Sequence, residues 1–557
     1  MIKTKIISSL EKVFIDESID SYSPLKSLSA LRGERVNFQI AYTFITKGSP
    51  MIYIAPRLTP TLSGELAKYA SIRQIMYVPV NFTEHMLGFD DNYLRTAPGL
   101  YPDVLRPLYY GGTMTFAKDG LNAVWVEINL PKDMAPGKYD FTISFDAKEF
   151  GTTESSIEIE VIDAVLPDED IYFTQWFHAD CLANYYNVEV WSDRHFEIVE
   201  NFVKTARRNG INMILTPVFT PPLDTAIGGE RRTTQLVGIE VKNGKYSFDF
   251  ALLDRWIEML NRCGVEYIEI SHLFTQWGAK HAPKIMATVD GEYKKIFGWE
   301  TDAHSDEYAT FLRTFLTAFL SHMKERGDEK RCFFHVSDEP HKGDEENYSA
   351  SKAIVADLLK DYTIMDALST FDFYDLGIIE HPIPSNNKIA PFLEANIPGL
   401  WTYYCVSQPI NVSNRFHTMP AWRNRSIGMQ IYKYNIAGFL QWGYNFYNNQ
   451  HSGDPINPFY EQSADYAFQG GDAFSVYPAM DGTALESPRL AVFYEGLQDI
   501  KAMKLAESLT SHEAVVEAME NAFGRSISFD TCAMSSAELL RVRETVNSII
   551  KNAVASK

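Results

Sequence analysis

The chain has 557 residues and a mass of 63.3 kDa, too much for one small domain and enough for two or three units with sizeable cores. Lys+Arg 51 against Asp+Glu 72 leave a net charge of -21. That field repels phosphate backbones and anionic membranes, so neither nucleic acid nor a membrane is expected as a partner. Aromatic residues reach 13%, which argues against disorder and suits a protein that stacks on flat apolar faces, sugars among them.

The first ten residues, MIKTKIISSL, carry lysines but no apolar stretch, and Glu11 and Lys12 follow at once, so they do not read as a signal peptide. No run of about 18 apolar residues suggests a membrane span. The five cysteines are an odd, widely spaced set without a CxxC pair. They read as reduced thiols in a cytoplasmic protein.

Residues 1–165 read as an N-terminal β-sandwich. The segments 36–44, 51–55, 123–130, 139–145 and 155–164 alternate or carry β-branched and aromatic residues, with turn signals such as Pro136-Gly137 between them. The acidic, Pro-containing stretch VLPDED (165–170) punctuates the chain. From there strand-like and helix-like stretches alternate, the rhythm of parallel βα units. Strands are predicted at 171–180, 211–220, 265–274, 331–340, 365–373, 377–384, 399–407 and 437–447. Helices are predicted at 193–210 with Asp193 as N-cap, 250–264, 305–327 capped by Ser305, 349–362 and 487–509. Eight such strands make residues 166–510 a (β/α)₈ barrel. Residues 511–557 are a helical extension expected on the barrel exterior. The fold class is therefore α/β with an all-β N-terminal domain.

The active site of such a barrel lies at the C-terminal ends of its strands. In order, these ends offer Trp176, His178 and Asp180; Thr216 and Asp224; His272 and Trp277; His335, Asp338 and Glu339; Asp372 and Asp375; Glu380 and His381; Trp401, Tyr403, Tyr404 and Gln408; Trp442, Tyr444 and Asn445. The outstanding feature is Ser337-Asp338-Glu339-Pro340. As a bare tetrapeptide it reads as a polar turn that caps a helix. After the apolar strand CFFHV, with aromatics on other strand ends, it reads as two carboxylates delivered to a barrel mouth. Pro340 is expected to push Glu339 toward extended backbone. Two crowded carboxyls raise one proton affinity, so one can act as general acid at neutral pH.

Glycoside hydrolysis ordinarily uses a second, separated carboxylate. The seventh and eighth strand ends, GLWTYYCVSQP and FLQWGYNFYNN, hold no acid. A substrate that supplies its own nucleophile, the 2-acetamido carbonyl of an N-acetylhexosamine, removes that requirement.

HVSDEP resembles the Asp-Glu site of glycoside hydrolase family 123, the β-N-acetylgalactosaminidases, whose layout is also a β-sandwich followed by a barrel. The stretch from Trp442 to Asp499 is similar to the C-terminal module of that family, of previously unknown function. The matching positions are Trp442, Asn445, Tyr447, Asp472, Tyr477, Pro478, Ser487, Arg489, Glu495, Gly496 and Asp499; Tyr447 stands where the family has Trp. The resemblance implies a retaining, substrate-assisted hydrolase that releases terminal β-linked N-acetylhexosamine, N-acetylgalactosamine favoured, from glycans or glycolipids through an oxazolinium intermediate. Glu339 and Asp338 are then the catalytic pair. The substrate-binding set is Trp401, Tyr403, Trp442, Asn445, His272, His178 and Asp472.

Several of these positions carry a plainer reading as well. Trp401 and Trp442 are open between a sugar-stacking wall and core filling. His272 and His335 read as hydrogen-bonding residues rather than ligands, since no metal spacing is present. Asp472, Arg489, Glu495 and Asp499 can form a structural ion-pair network. No cofactor and no metal are expected. The partner is a small carbohydrate or glycoconjugate, and a homo-oligomer is left open. The alternatives are a hydrolase for another sugar and a non-catalytic carbohydrate-binding protein.

Overall fold

The structure, a computed structural model, describes residues 2–44, 58–108, 112–114, 120–147, 151–168 and 171–556. The predicted strand at 51–55 lies outside them. The chain divides into two compact units. One comprises residues 1–170, 409–434 and 485–557; the other comprises 171–408 and 435–484.

In the first unit, two sheets make the sandwich. A five-stranded sheet runs in the order Ile2–Ser8, Arg35–Phe44, Leu121–Asn129, Ala70–Val80, Gly99–Pro107. A four-stranded sheet runs Ser27–Arg32, Thr152–Val165, Gly137–Asp146, Thr59–Ser63. Alternating residues such as Phe38, Ile40 and Tyr42 meet Phe141, Ile143 and Ile159 in one core. The other face of the five-stranded sheet, with Ala41, Ala123 and Trp125, shares a second core with helices at Ala421–Lys433, Pro488–Leu509, His512–Phe523 and Ser536–Ala555. The C-terminal helices thus bury their apolar stripes, including Val515, Met519, Leu539 and Val546, with the N-terminal strands, in the unit that does not hold the barrel.

The second unit holds the barrel. Its eight parallel strands are Tyr172–Gln175, Met213–Thr216, Tyr267–Ile270, Cys332–Phe334, Thr363–Ala367, His381–Ile383, Trp401–Tyr403 and Gly438–Gln441. The last pairs with the first, Tyr172 opposite Gly438. The sixth and seventh are joined by a bridge between Ser385 and Tyr403, where the Asn386 N–H donates to the Tyr403 carbonyl at 2.8 Å. The strands are shorter than their apolar runs suggest, because each run continues into the loop that carries functional side chains. The fifth and sixth predicted strands shift most. Asp372–Asp375 is a short helix, and Glu380 and His381 stand exposed where the sixth strand begins, at the end opposite the mouth.

The helix Asp193–Arg208 is capped by Ser192, whose hydroxyl accepts from the His195 N–H; Asp193 is its first helical residue rather than its cap. Ser305 caps Asp306–Arg326 as expected. A four-stranded sheet, Lys245–Asp249, Gly238–Lys242, Ile285–Val289, Glu292–Phe297, is inserted into the second and third βα loops. All five cysteines are free. No helix among the described residues is long and apolar enough to cross a membrane.

Candidate active site

A cleft of about 200 Å³ opens at the carboxyl ends of the barrel strands. It is lined by Trp176, Asp224, Trp277, Asp338, Glu339, Tyr403 and Trp442, with Cys405, His451 and Phe468 among the rest. The fourth strand ends at Phe334, so Asp338 and Glu339 stand in loop geometry. Glu339 has φ +43°, a left-handed backbone rare for a residue with a side chain. The expectation of an extended Glu339 ahead of Pro340 is therefore corrected. Proline excludes the right-handed helical region, and here the chain takes the left-handed one. The turn is held by the Glu339 N–H donating to the Ala367 carbonyl at 3.0 Å and the Trp277 N–H donating to the Asp338 carbonyl at 2.9 Å. Side chains of consecutive extended residues would face opposite ways. The left-handed residue breaks that alternation, and both carboxyls line one cleft.

The Tyr403 hydroxyl donates to Glu339 Oε1 at 2.5 Å. Burial pushes the Asp338 carboxyl well above the usual carboxylate range; the neighbouring Glu339 charge adds to this, the His335 charge opposes it, and Asp366 and Asp224 add again.

Beneath them lies a buried ionic cluster. His335 Nε2 bonds Glu269 Oε1 at 2.7 Å, and its Nδ1 faces Asp366 Oδ1 at 3.3 Å. Glu269 also accepts from Trp176 Nε1 at 2.7 Å and from the Thr174 hydroxyl at 2.5 Å. Asp366 accepts from the Val336 N–H at 3.1 Å and from the Tyr348 hydroxyl. Burial alone would discharge His335, but its hydrogen bonds to Asp366 and Glu269 win and push it up to about 10. His272, Trp176 and His335 form an aromatic nest: the two imidazoles stack at 4.4 Å, and Trp176 meets His272 edge-on at 5.2 Å. His272 is fully buried without a hydrogen-bond partner for either nitrogen, and burial and the His335 charge keep it neutral. His272, His335 and Asp366 bring three ligand-type atoms within 4.8 Å of one another. Both His335 nitrogens already serve carboxylates, so the chemistry of the cluster is that of an ion pair.

The predicted binding residues divide. Tyr403 and Trp442 line the cleft. Asp472 is buried behind Trp442, accepting its indole N–H at 3.0 Å and the Val406 N–H at 3.0 Å. Asn445 grips the backbone of His178 on both sides, accepting its N–H at 2.9 Å and donating to its carbonyl at 3.1 Å. The buried His178 ring lies between the Trp442 carbonyl and Arg231, which also forms a two-pronged pair with Asp180. Burial, with Arg231 next in strength, lowers His178 to about 3. Trp401, the first residue of its strand, stacks on Tyr172 at 5.3 Å on the barrel floor. Trp401, His272, His178 and Asn445 thus do not reach the cleft wall.

The sequence reading missed Glu269 and Asp366. The signal was a carboxylate inside an apolar strand run, YIEI and TIMDA. It also left Asp224 without a role. Asp224 lines the cleft with φ +40°, accepts the His451 N–H at 2.9 Å, and burial raises its carboxyl.

Residues 176–506 match the family model described as "Glycoside hydrolase 123, catalytic domain". Among solved structures, a family 123 glycoside hydrolase from Clostridium perfringens is 17% identical, with TM-score 0.75 over 100% of this chain and 99% of that one. Its fold is therefore the fold described above. A Bacteroides vulgatus structure described as a possible glycoside hydrolase is 10% identical over 86% of this chain and 78% of its own, with TM-score 0.30. A family 5 xyloglucanase from Bacteroides ovatus is 8% identical over 85% and 98%, with TM-score 0.26. These two are too distant to carry an argument. No curated protein matches the chain in sequence. With the family model spanning more than half of the chain and the carboxylate cleft lying inside the matched residues, this protein belongs to glycoside hydrolase family 123.

Proposed function

We propose that the chain is a retaining, substrate-assisted, exo-acting β-N-acetylhexosaminidase, with N-acetylgalactosamine as the favoured sugar. The observation that carries the reading is that Asp338 and Glu339, adjacent in sequence, face one cleft because Glu339 is left-handed. Glu339 serves as the acid, protonating the leaving oxygen, then as the base that activates water. Asp338 accepts the acetamide N–H and offsets the charge of the oxazolinium formed when the acetamide carbonyl attacks the anomeric carbon. Burial holds the Asp338 carboxyl above the usual carboxylate range. An acetamide N–H bonded to Asp338 favours its ionised form and so opposes the effect of burial. Trp442 offers the stacking face. The Clostridium perfringens relative is described as acting on glycolipid glycans. By that likeness, glycolipid or glycan ends are the proposed source of the sugar.

A second reading rests on Asp224. It is a third carboxylate in the same cleft, so an ordinary covalent nucleophile is not lacking by residue type. One pair of substrates separates the two. An aryl N-acetyl-β-galactosaminide should be turned over at least about 10²-fold faster than its 2-hydroxy counterpart, since only the first carries an oriented internal nucleophile. Equal turnover, with azide rescuing an Asp224→Ala enzyme, establishes the covalent route instead.

A further inference from the structure

We propose that His335 is a positioning residue, held as an imidazolium beneath the cleft, that offsets the negative charge gathered around Asp338 and fixes the backbone that presents the Asp338–Glu339 pair. The inference rests on the assignment of Asp338 and Glu339 as the catalytic pair.

The protonation of His335 follows from its partners. Both ring nitrogens face carboxylate oxygens, of Glu269 and Asp366. A neutral imidazole has one N–H and can satisfy only one of them; the cation satisfies both. The carboxylates do not supply the missing proton. Glu269 otherwise meets donors, the Trp176 indole and the Thr174 hydroxyl. Asp366 likewise meets the N–H groups of Val336 and Ser337 and the Tyr348 hydroxyl. Each donor favours the ionised carboxylate, although burial raises Asp366. His272, stacked on the ring from the third strand end, is neutral, and its face suits a cation.

Two consequences reach the cleft. Of the charges acting most strongly on Asp338, namely Glu339, His335, Asp366 and Asp224, only His335 is positive. Without it, burial and the Glu339, Asp366 and Asp224 charges would act on Asp338 unopposed, and its carboxyl would hold a proton to higher pH. Asp366, anchored by His335, also binds the Val336 and Ser337 N–H groups just before Asp338. The cluster therefore sets both the charge and the aim of the pair.

The test is the pH profile of kcat/KM on an aryl N-acetyl-β-hexosaminide. In His335→Gln, removal of the cation should move both limbs to higher pH by about 1–3 units, the usual reach of a neighbouring charge. Asp366→Asn removes an anion and should move them to lower pH. A structural role alone lowers the plateau and leaves the limbs in place. Unshifted limbs in a folded His335→Gln enzyme, or shifts of the same sign in both variants, overturn the proposal. A measurement on the unaltered enzyme covers the case of a variant that does not fold. With ¹⁵N-labelled histidine, an imidazolium signal should persist at pH 8.5, where an ordinary histidine of pKa about 6.5 is neutral. Absence of that signal sinks the idea. If no N-acetylhexosaminide is hydrolysed, the functional reading fails, and the nitrogen spectrum still decides the charge of His335.

Discussion

At the residue scale, the site turns on one backbone angle. A left-handed residue other than glycine costs of order 1–3 kcal/mol and persists only where its surroundings enforce it. Asp224, Trp277, His451 and Ser452, on the loops around the same cleft, are also left-handed, at φ +40°, +61°, +60° and +54°. The strain at Glu339 is offset by hydrogen bonds on both sides of the turn. Replacing its carboxyl by an amide keeps the shape and removes the proton. Glu339→Gln should lower kcat about 10²–10⁴-fold on a poor leaving group. The first step on an activated aryl glycoside, measured in single turnover, should fall far less. Equal losses on both would remove Glu339 from the acid role. Tyr403→Phe deletes the hydroxyl that donates to Glu339. A hydrogen bond to a charged group is worth about 1.5–3 kcal/mol, so kcat/KM should fall about 10-fold or more with the fold intact by circular dichroism.

At the element scale, short strands decide which residue serves which end. Trp401 begins the seventh barrel strand and Trp442 follows the eighth, so identical side chains lie on the floor and at the mouth. On the floor, a Cβ added to Gly438 would overlap the Trp401 ring. Gly438→Ala should therefore destabilise the enzyme by about 1–3 kcal/mol, visible as a lower Tm. Trp442→Ala should instead raise KM with little change in Tm. If Gly438→Ala melts like the wild type, Trp401 is not packed as described. The family-patterned residues near the C-terminus also take defined parts at this scale. Ser487 caps the helix Pro488–Leu509, accepting from the Leu490 N–H. Gly428 and Gly496 let that helix and Ala421–Lys433 approach so closely that a Cβ on Gly428 would meet the Gly496 carbonyl at 2.6 Å.

At the scale of the whole molecule, the unit built on the N-terminal sandwich is tied by buried ion pairs between distant segments. Arg425 bonds Glu495 at 2.6 Å and Asp499 at 2.7 Å, while Arg543 bonds Asp499 at 2.9 Å and Glu34 at 2.7 Å. Arg489 grips Asp103 with two bonds, at 2.7 and 2.6 Å. Of the four residues expected to form one structural network, Glu495 and Asp499 share one through Arg425, Arg489 is paired with Asp103, and Asp472 stands elsewhere, behind Trp442. Arg425→Ala strands two buried anions and should cost about 3–5 kcal/mol in urea unfolding at pH 7. Burial opposes the charge on Asp499, but Arg425 and Arg543 outweigh it and hold its carboxyl below the ordinary value. A depressed acid stabilises the fold above the unfolded pKa of about 3.9 and loses that contribution as pH falls through its folded value. The wild type should therefore lose stability below about pH 4, and Arg425→Ala should lose less on the same descent. A variant as stable as the wild type at pH 7 would falsify the network's role.

The sequence by itself determined what local patterns carry. Period-two alternation, then alternating strands and helices, marked a sandwich followed by a barrel, because those periods reflect backbone geometry within a few residues. SDEP marked the cleft because its two acids are neighbours in sequence. The Asn243-Gly244 and Asp290-Gly291 dipeptides, a local signal of the same kind, stand at the hairpin turns of the inserted sheet. The tertiary structure alone decided the rest. Whether Trp401, Asn445 or His178 faces a sugar depends on where three- or four-residue strands end, and a shift of one residue reverses the facing. The partners of His335 lie 66 and 31 residues away on two other strands. Neither periodicity nor spacing signals such a charge cluster, because it exists only when the closed barrel brings Glu269, His335 and Asp366 into one dry interior, where a charge must be paired.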